Sequence, residues 1–400
     1  MKNGLIQTSL YLFLGGFMYA QSPYISKVYD FMPAPGQFVN QLPEYEDGDT
    51  RESMIKKVEE SISGENKTLV SLGGYGGFVV FGFDHMVENI PGRYDFKIWG
   101  NSFVADSNPN SESSKLGGSC EPAIVMVAYD ANGNGIPDDQ WYELAGSEYY
   151  KPETIKSYKI VYYKPDENKV KTPDKTSPAL NDTTYVKWTS NQGDYGYVSR
   201  NVFHSQSYYP QWITDETIEF EGTKLADNYV DESGNGSYYV QYAYDWGYVD
   251  NYPNDHERSG FSIEWAIDSY GNRVQLPGIH FVKVYTAVNQ YCGWLGETST
   301  EIMGAENLHL TGGDTIIEHQ YETGIISNWV NKSIDLLQNP VRQQLLIVSP
   351  NPQKAIVYNI AGNRVMTFSV EAGTNYINCS LPQGMYILVI GNRKIKFFKQ

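Results

Sequence analysis

The sequence predicts an all-β protein, and three observations carry that prediction. Short apolar runs rich in Val, Ile, Tyr and Phe recur along the chain, turn residues separate them often, and no α-helical rhythm interleaves them, which disfavours a parallel α/β architecture. Taken in order, a proline-bearing entry (Phe31-Met32-Pro33-Ala34-Pro35-Gly36) precedes one convincing helix. Asp49 is placed to cap it and Glu52 to complete a capping box. Met54, Ile55, Val58 and Ile62 form its apolar stripe, and Gly64 stops it. Strands are expected at 69–72, 78–83, 95–101, 123–129 and 158–163, with polar loops at 165–184 and 222–236. The expected architecture is a jelly-roll-like or galactose-binding-like β-sandwich over 21–310 and a linker over 311–334. A small separate β-sandwich follows over 335–400, where apolar runs at 345–348, 355–358 and 385–390 are split by Pro350-Asn351-Pro352, Ala361-Gly362-Asn363 and Pro382-Gln383-Gly384.

Residues 1–20 read as an export signal. Met1-Lys2 gives a basic start, and the apolar stretch from Leu10 to about Ala20 is too short for an anchor, with cleavage expected after Ala20. No other segment approaches the roughly 18 uninterrupted apolar residues of a membrane helix, so no transmembrane anchor is expected. The formal charge is −17, and residues 335–400 carry seven basic and two acidic side chains, so the acidic surplus lies upstream. That balance repels nucleic acid and anionic lipid and suits an exported protein that binds cations. Of the three cysteines, Cys379 falls in the C-terminal module. Cys120 and Cys292 either pair, as an oxidising compartment permits, or remain buried thiols.

The 33 tyrosines are the oddest feature of the composition. In the run from Tyr238 to Trp246, strand alternation puts Tyr238, Val240, Tyr242, Tyr244 and Trp246 on one face, which is expected to fill a sheet-to-sheet core. Gly247 interrupts the run. Trp246 and Tyr248 are therefore expected to be re-aimed towards the surface as ligand contacts, beside Asp245, Asp250 and Asn251. Trp294 is a further expected ligand contact, and Glu297, Glu301 and Glu306 beside it are the candidate carboxylates for glycosidase chemistry, the alternative being a solvated polar loop.

The sharpest local motif is Asp130-Ala131-Asn132-Gly133-Asn134-Gly135-Ile136-Pro137-Asp138-Asp139. Oxygen side chains at alternate positions with glycine at the sixth match an EF-hand-type loop. Asp130, Asn132, Asn134, the Ile136 carbonyl and Asp138 are expected to hold a structural calcium ion, completed by Asp139 or Glu143. The alternative is an Asn-Gly hairpin that needs no metal. The glycine-rich Ser71–Gly77 segment is no phosphate loop: it lacks Gly-Lys-Ser/Thr and leads into a strand, so a flexible loop or tight crossing is expected.

Four C-terminal motifs follow one another: Asn339-Pro340-Val341, Tyr358-Asn359-x-x-Gly362-x-x-Val365, Leu381-x-x-Gly384-x-Tyr386 and a Lys-rich terminal strand. Together they resemble the C-terminal sorting domain of type IX secretion in Bacteroidetes. The resemblance implies delivery to the outer cell surface or medium by the type IX machinery. Upstream, "SLGGYGGFVVFGFDHMVENIPGRYDFKIWGNSF", "EPAIVMVAYDANGNGIPDDQWYELAGSEY" and "GIHFVKVYTAVNQYCGWLGETSTEI" resemble an uncharacterised group of Bacteroidetes cell-surface proteins. That likeness implies an exported β-sandwich, some of whose relatives accompany corrinoid (vitamin B12) acquisition.

No His-Glu-x-x-His pair and no Gly-x-Ser-x-Gly elbow occurs, and the adjacent pairs Asp84-His85 and Asp255-His256 are expected to diverge on a strand. The reading is a secreted or surface-attached, non-catalytic protein that binds a glycan or corrinoid and is stabilised by calcium. The alternatives are a carbohydrate-active enzyme and a corrinoid-uptake accessory.

Overall fold

A computed structural model describes residues 21–105 and 116–317 and, in the C-terminal segment, 335–336, 340–341, 344–349, 351–371, 373–391 and 393–400. The expected signal at 1–20 and most of the expected linker lie outside the described residues. The fold is all-β. Its centre is an antiparallel sheet of six strands in the order Lys27–Met32, Phe78–Glu88, Gly278–Thr286, Ala123–Ala128, Trp141–Leu144, Ala266–Ile267. The inner strands read as almost unbroken apolar runs because both faces of the sheet are covered. Val125, Val127, Val282 and Val284 join Val79 and Phe81 in the main core, while Ile124, Met126 and Tyr285 pack on the other side with Tyr244 and Tyr248.

A second antiparallel sheet, Tyr195–Asn201, Leu180–Ser190, Ile155–Tyr163, Thr217–Lys224, closes the main core. Tyr158 and Phe220 meet Tyr75 and Phe78 edge to face, and the Tyr162 hydroxyl donates to the Tyr75 carbonyl at 3.2 Å. The expected polar loops are therefore partly strand: Leu180 and Asp182 pair with the neighbouring strand, 222–224 end Thr217–Lys224, and Tyr229–Asp231 is a strand. Polar side chains on half-exposed strands look like loop in a sequence.

The helix runs Arg51–Ile62, and Met54, Val58 and Ile62 are buried on it as expected. Its cap is Thr50 rather than Asp49, and the reciprocal partner is Ser53 rather than Glu52. Register decides between these cap-competent neighbours. Asp49 lies one residue too early and accepts instead from Ser53 Oγ and Lys57 Nζ, both at 2.7 Å.

The Ser71–Gly77 run is a tight crossing. Gly73 has φ +69, and a Cβ there would stand 1.9 Å from the Ala34 carbonyl oxygen. The C-terminal module has two antiparallel sheets of three and four strands around its own core of Leu345, Ile347, Ala355, Val357, Leu388, Ile390 and Phe397. The body reaches past residue 311, because Ile317 is fully buried in the main core and Ile316 bridges Arg93. Among the described residues no helix is long and apolar enough to cross a membrane.

Candidate functional site

The aromatic run is core, and its expected surface exit at Gly247 is corrected. Val240, Tyr242 and Tyr244 are buried, and so are Trp246 and Tyr248, which are only 6% and 3% exposed. Gly247, at φ +89, turns the chain inward so closely on Gly146 that a Cβ would stand 2.6 Å from the Gly146 Cα. Trp246 then packs on Trp265 with ring centroids 4.8 Å apart, and the Tyr248 hydroxyl accepts from the Glu148 amide at 3.0 Å.

Trp294 does line a cavity, of about 290 Å³. Asn201, at the end of its strand, builds one wall. Its Oδ1 accepts from the amides of Phe203 and His204, both at 3.0 Å, and its Nδ2 donates to Gln37 Oε1 at 2.8 Å. Opposite, the Cys292 amide donates to the Gly296 carbonyl at 2.8 Å and closes the turn that carries Trp294. The rings line the cavity in two edge-to-face pairs, Phe38 with His204 at 4.6 Å and Phe203 with Trp294 at 6.2 Å. Phe203 and Leu295 are largely exposed.

Two carboxyls share this cavity, Glu121 and Glu297. Glu297 Oε1 accepts from the Gln37 amide at 2.6 Å and from Ser299 Oγ at 3.0 Å, whereas its buried Oε2 has no hydrogen-bond partner. Burial pushes Glu297 up to about 7, and the nearby Glu121 charge adds to the shift. Glu121 is likewise pushed up to about 7 by burial. Behind it stand Asp250 and Glu301, and one oxygen from each of the three acids lies within 4.8 Å of the others.

Asp250, expected as a surface ligand contact, is buried and holds a left-handed backbone at φ +55. Its Oδ1 accepts from the amides of Asn101 and Ser102 at 2.8 and 2.7 Å, and its Oδ2 from the Glu301 amide at 3.1 Å. Glu301 Oε1 accepts from Ser71 Oγ at 2.9 Å, and Glu121 takes Ser119 Oγ at 3.2 Å. Burial, and after it the Glu121 charge, raises both Asp250 and Glu301 well above the usual carboxylate range. These oxygens could converge on a cation, but local donors already serve them. Shared protons suffice to hold the three together.

In the 130–139 loop local donors take up the side-chain oxygens: Asn132 Oδ1 accepts from the Asn134 backbone N–H at 2.9 Å and Asn134 Oδ1 from that of Ile136 at 2.8 Å. Asp130 accepts from the backbone N–H groups of Gly133, Asn134 and Gly135 at 2.8, 3.1 and 2.9 Å, and the side-chain Nδ2 groups of Asn132 and Asn134 both donate to Asp138 Oδ1 at 3.3 Å. Asp139 Oδ2 instead accepts from the Ala131 amide at 2.9 Å, and the Ile136 carbonyl from the Asp138 amide at 2.8 Å. Asp130, Asn132, Asn134 and Asp138 carry oxygens of the type a hard cation takes, but here they build a hydrogen-bonded turn, with the two Asn Nδ2 groups facing Asp138. Glu143 is no part of it, since it accepts from Thr223 Oγ1 at 2.7 Å on the other side of its strand.

Cys120 and Cys292 are both free and buried, beside Ser102 and Thr298 hydroxyls at 3.7 Å. Asp84 and His85 do not diverge: they pair at 2.6 Å. The expected residues thus contribute Trp294 and Glu297 to the cavity and Asp250 and Glu301 to the acid group behind it. Glu121, Gln37, Phe38, Phe203 and His204 went unmarked, and no local motif announces them. No family model and no curated protein matches the chain.

Proposed function

We propose that this is a secreted or surface-attached ligand-binding protein whose site is the cavity between Asn201, Trp294 and Glu297. One observation carries the reading: four rings, side-chain amides and two carboxyls converge on one concave space, the mixture that small-molecule sites use for stacking and orientation. Flat amphipathic ligands suit it, and glycans and corrinoids are the first to screen. A ligand stacking on Trp294 should change the intrinsic fluorescence, and Trp294→Ala should weaken binding at least tenfold, about 1.4 kcal/mol. Silence from the whole panel would remove the reading.

The two raised carboxyls favour a second reading as a carbohydrate-active enzyme, because glycoside hydrolysis uses a carboxyl pair with one member kept protonated near neutrality. Release of reducing sugar from any panel glycan, lost in Glu297→Gln, would decide for it.

Export by type IX secretion rests on the four C-terminal motifs. Deleting residues 335–400 is expected to trap the protein in the periplasm, and undiminished surface delivery would count against that route. Calcium stabilisation rests on the oxygen side chains at alternate positions of the 130–139 loop. Binding to the folded state alone adds about 2.7 kcal/mol at 100 times Kd. Chelation should therefore lower the melting temperature, and Asp130→Ala should remove the response. Superimposable melts with calcium and with chelator would argue against the ion.

A further inference from the structure

We infer that His309 is a proton-operated clasp that holds the strap 313–317 against the turn at 92–95, and that loss of its second ring proton loosens the strap. The strap follows the short helix Leu308–Thr311, which ends at Gly312 in a left-handed conformation, φ +76. Backbone bonds lay it down: the Gly313 amide donates to the Leu308 carbonyl at 3.0 Å, the Tyr94 amide to the Thr315 carbonyl and the Ile317 amide to the Gly92 carbonyl, both at 3.1 Å. Ile317 then plugs the main core. His309 stands on the helix between the strap and the body, and its ring touches an acid on each side. Nε2 lies 3.0 Å from both the Glu88 carbonyl oxygen and Asp95 Oδ1, so it carries a proton and donates. Nδ1 is buried without a hydrogen-bond partner of ordinary geometry, 3.5 Å from Asp314 Oδ2.

Both ring nitrogens therefore face acceptors. A neutral imidazole cannot serve both, because one of its nitrogens is itself an acceptor; the imidazolium can. Asp95 gains from that charge. It is fully buried, and the Ile90 amide, the Ile263 amide and His309 Nε2 all donate to it, at 2.8, 2.7 and 3.0 Å. A buried carboxylate so placed is costly without a counter-charge. Other charged groups surround the pair. Arg93 also holds Asp314, at 3.3 Å, Glu264 Oε2 accepts from the Gly92 amide at 2.5 Å and faces Arg273, and the Glu88 side chain is exposed. Burial lowers the His309 pKa, but Asp95, the Glu88 carbonyl and Asp314 together outweigh it and leave the value raised. The clasp is thus complete below the ordinary histidine value of about 6.5 and is lost as the pH rises through the higher folded value. Once neutral, the ring turns an Nδ1 lone pair towards Asp314, and Arg93 is left to hold that acid.

The test follows amide exchange in the full chain by mass spectrometry at pH 6.0 and 8.5. Each rate is divided by the intrinsic rate at its own pH and referred to the core strand Gly278–Thr286, which separates local opening from global loss of stability. The strap 313–317 is expected to lose at least about tenfold protection relative to that strand. His309→Gln keeps a donor for Asp95 but no charge, so its strap should be weakly protected at both pH values. Asp314→Asn offers a neutral Nδ1 a side-chain amide, so the pH response should shrink. Melting curves check that both variants fold, and should His309→Gln fail, wild type against Asp314→Asn decides. Strap protection that moves in step with the strand, or a wild-type drop retained in His309→Gln, overturns the inference. So does an NMR titration in which His309 takes up its proton only below about pH 6.5.

Discussion

Replacing Tyr248 by alanine is expected to cost about 4 kcal/mol and to lower the melting temperature by roughly 8 °C or more, without touching the cavity. The ring is 3% exposed, packs at 5.4 Å on Tyr244, and lies so close over Gly146 that a Cβ there would stand 2.5 Å from it. Truncation removes this contact and leaves a hole under the outer face of the six-stranded sheet. It also strips the Glu148 amide of its acceptor. Tyr248→Phe keeps the ring and loses only that hydrogen bond, so it should cost about 1 kcal/mol. Thermal or urea melts of the two variants separate packing from polarity. An unshifted melt for Tyr248→Ala would mean that the ring is not the filler its burial makes it.

That tyrosine also marks how far the sequence could be read. The strands at 78–83, 123–129 and 158–163 were legible because their apolar character is dictated by burial on one or both faces. The helix was legible because Met54, Val58 and Ile62 repeat at helical spacing, and only its cap was misassigned, by one residue. The exit at Gly247 was misread. A glycine that breaks an alternating strand can turn a side chain out or let the backbone approach another segment, and only the position of Gly146 decides between the two.

The cavity was hardly legible, for a different reason. Its defining contact joins the Gln37 amide to Glu297 across 260 residues, and Asn201 and Glu121 come from two further parts of the chain. None of these residues has a neighbour in sequence that hints at its role. Trp294 and Glu297 stand out in the sequence only as a ring followed by a run of acids, Glu297, Glu301 and Glu306. Glu121, at the head of an apolar strand, reads as an ordinary strand entry until Asp250 and Glu301 are seen behind it. Loop-built sites gathered by sheet topology leave little local signature.

The same buried acids make the protein expected to lose stability as the pH rises from 5 to 7. Glu121, Glu143 and Glu297 are each pushed up to about 7 by burial, and burial also raises Asp250 and Glu301 well above the usual carboxylate range. At pH 5 the unfolded chain has already given up most of those protons, whereas the folded chain holds them and releases them only as the pH nears 7. The folded state then binds more protons, and stability falls with rising pH. His204, His256 and His280, whose pKa values burial lowers, act in the opposite sense, but fewer groups are involved. Asp49, pulled down to about 2 by its hydrogen bond from Lys57, matters only in stronger acid. For Glu297 alone, a rise from 4.5 to about 7 amounts to about 3 kcal/mol in all, of which roughly 2 kcal/mol is lost between pH 5 and 7. Glu297→Gln removes that proton. Its stability curve should therefore be flatter by up to about 1.4 kcal/mol per pH unit near pH 6, and should cross above wild type by pH 8. Urea melts at pH 5, 6, 7 and 8 measure both curves. A wild-type stability that rises from pH 5 to 7, or a variant curve parallel to it, would mean that the Glu297 carboxyl is ionised in the folded protein and already carries its counter-charge.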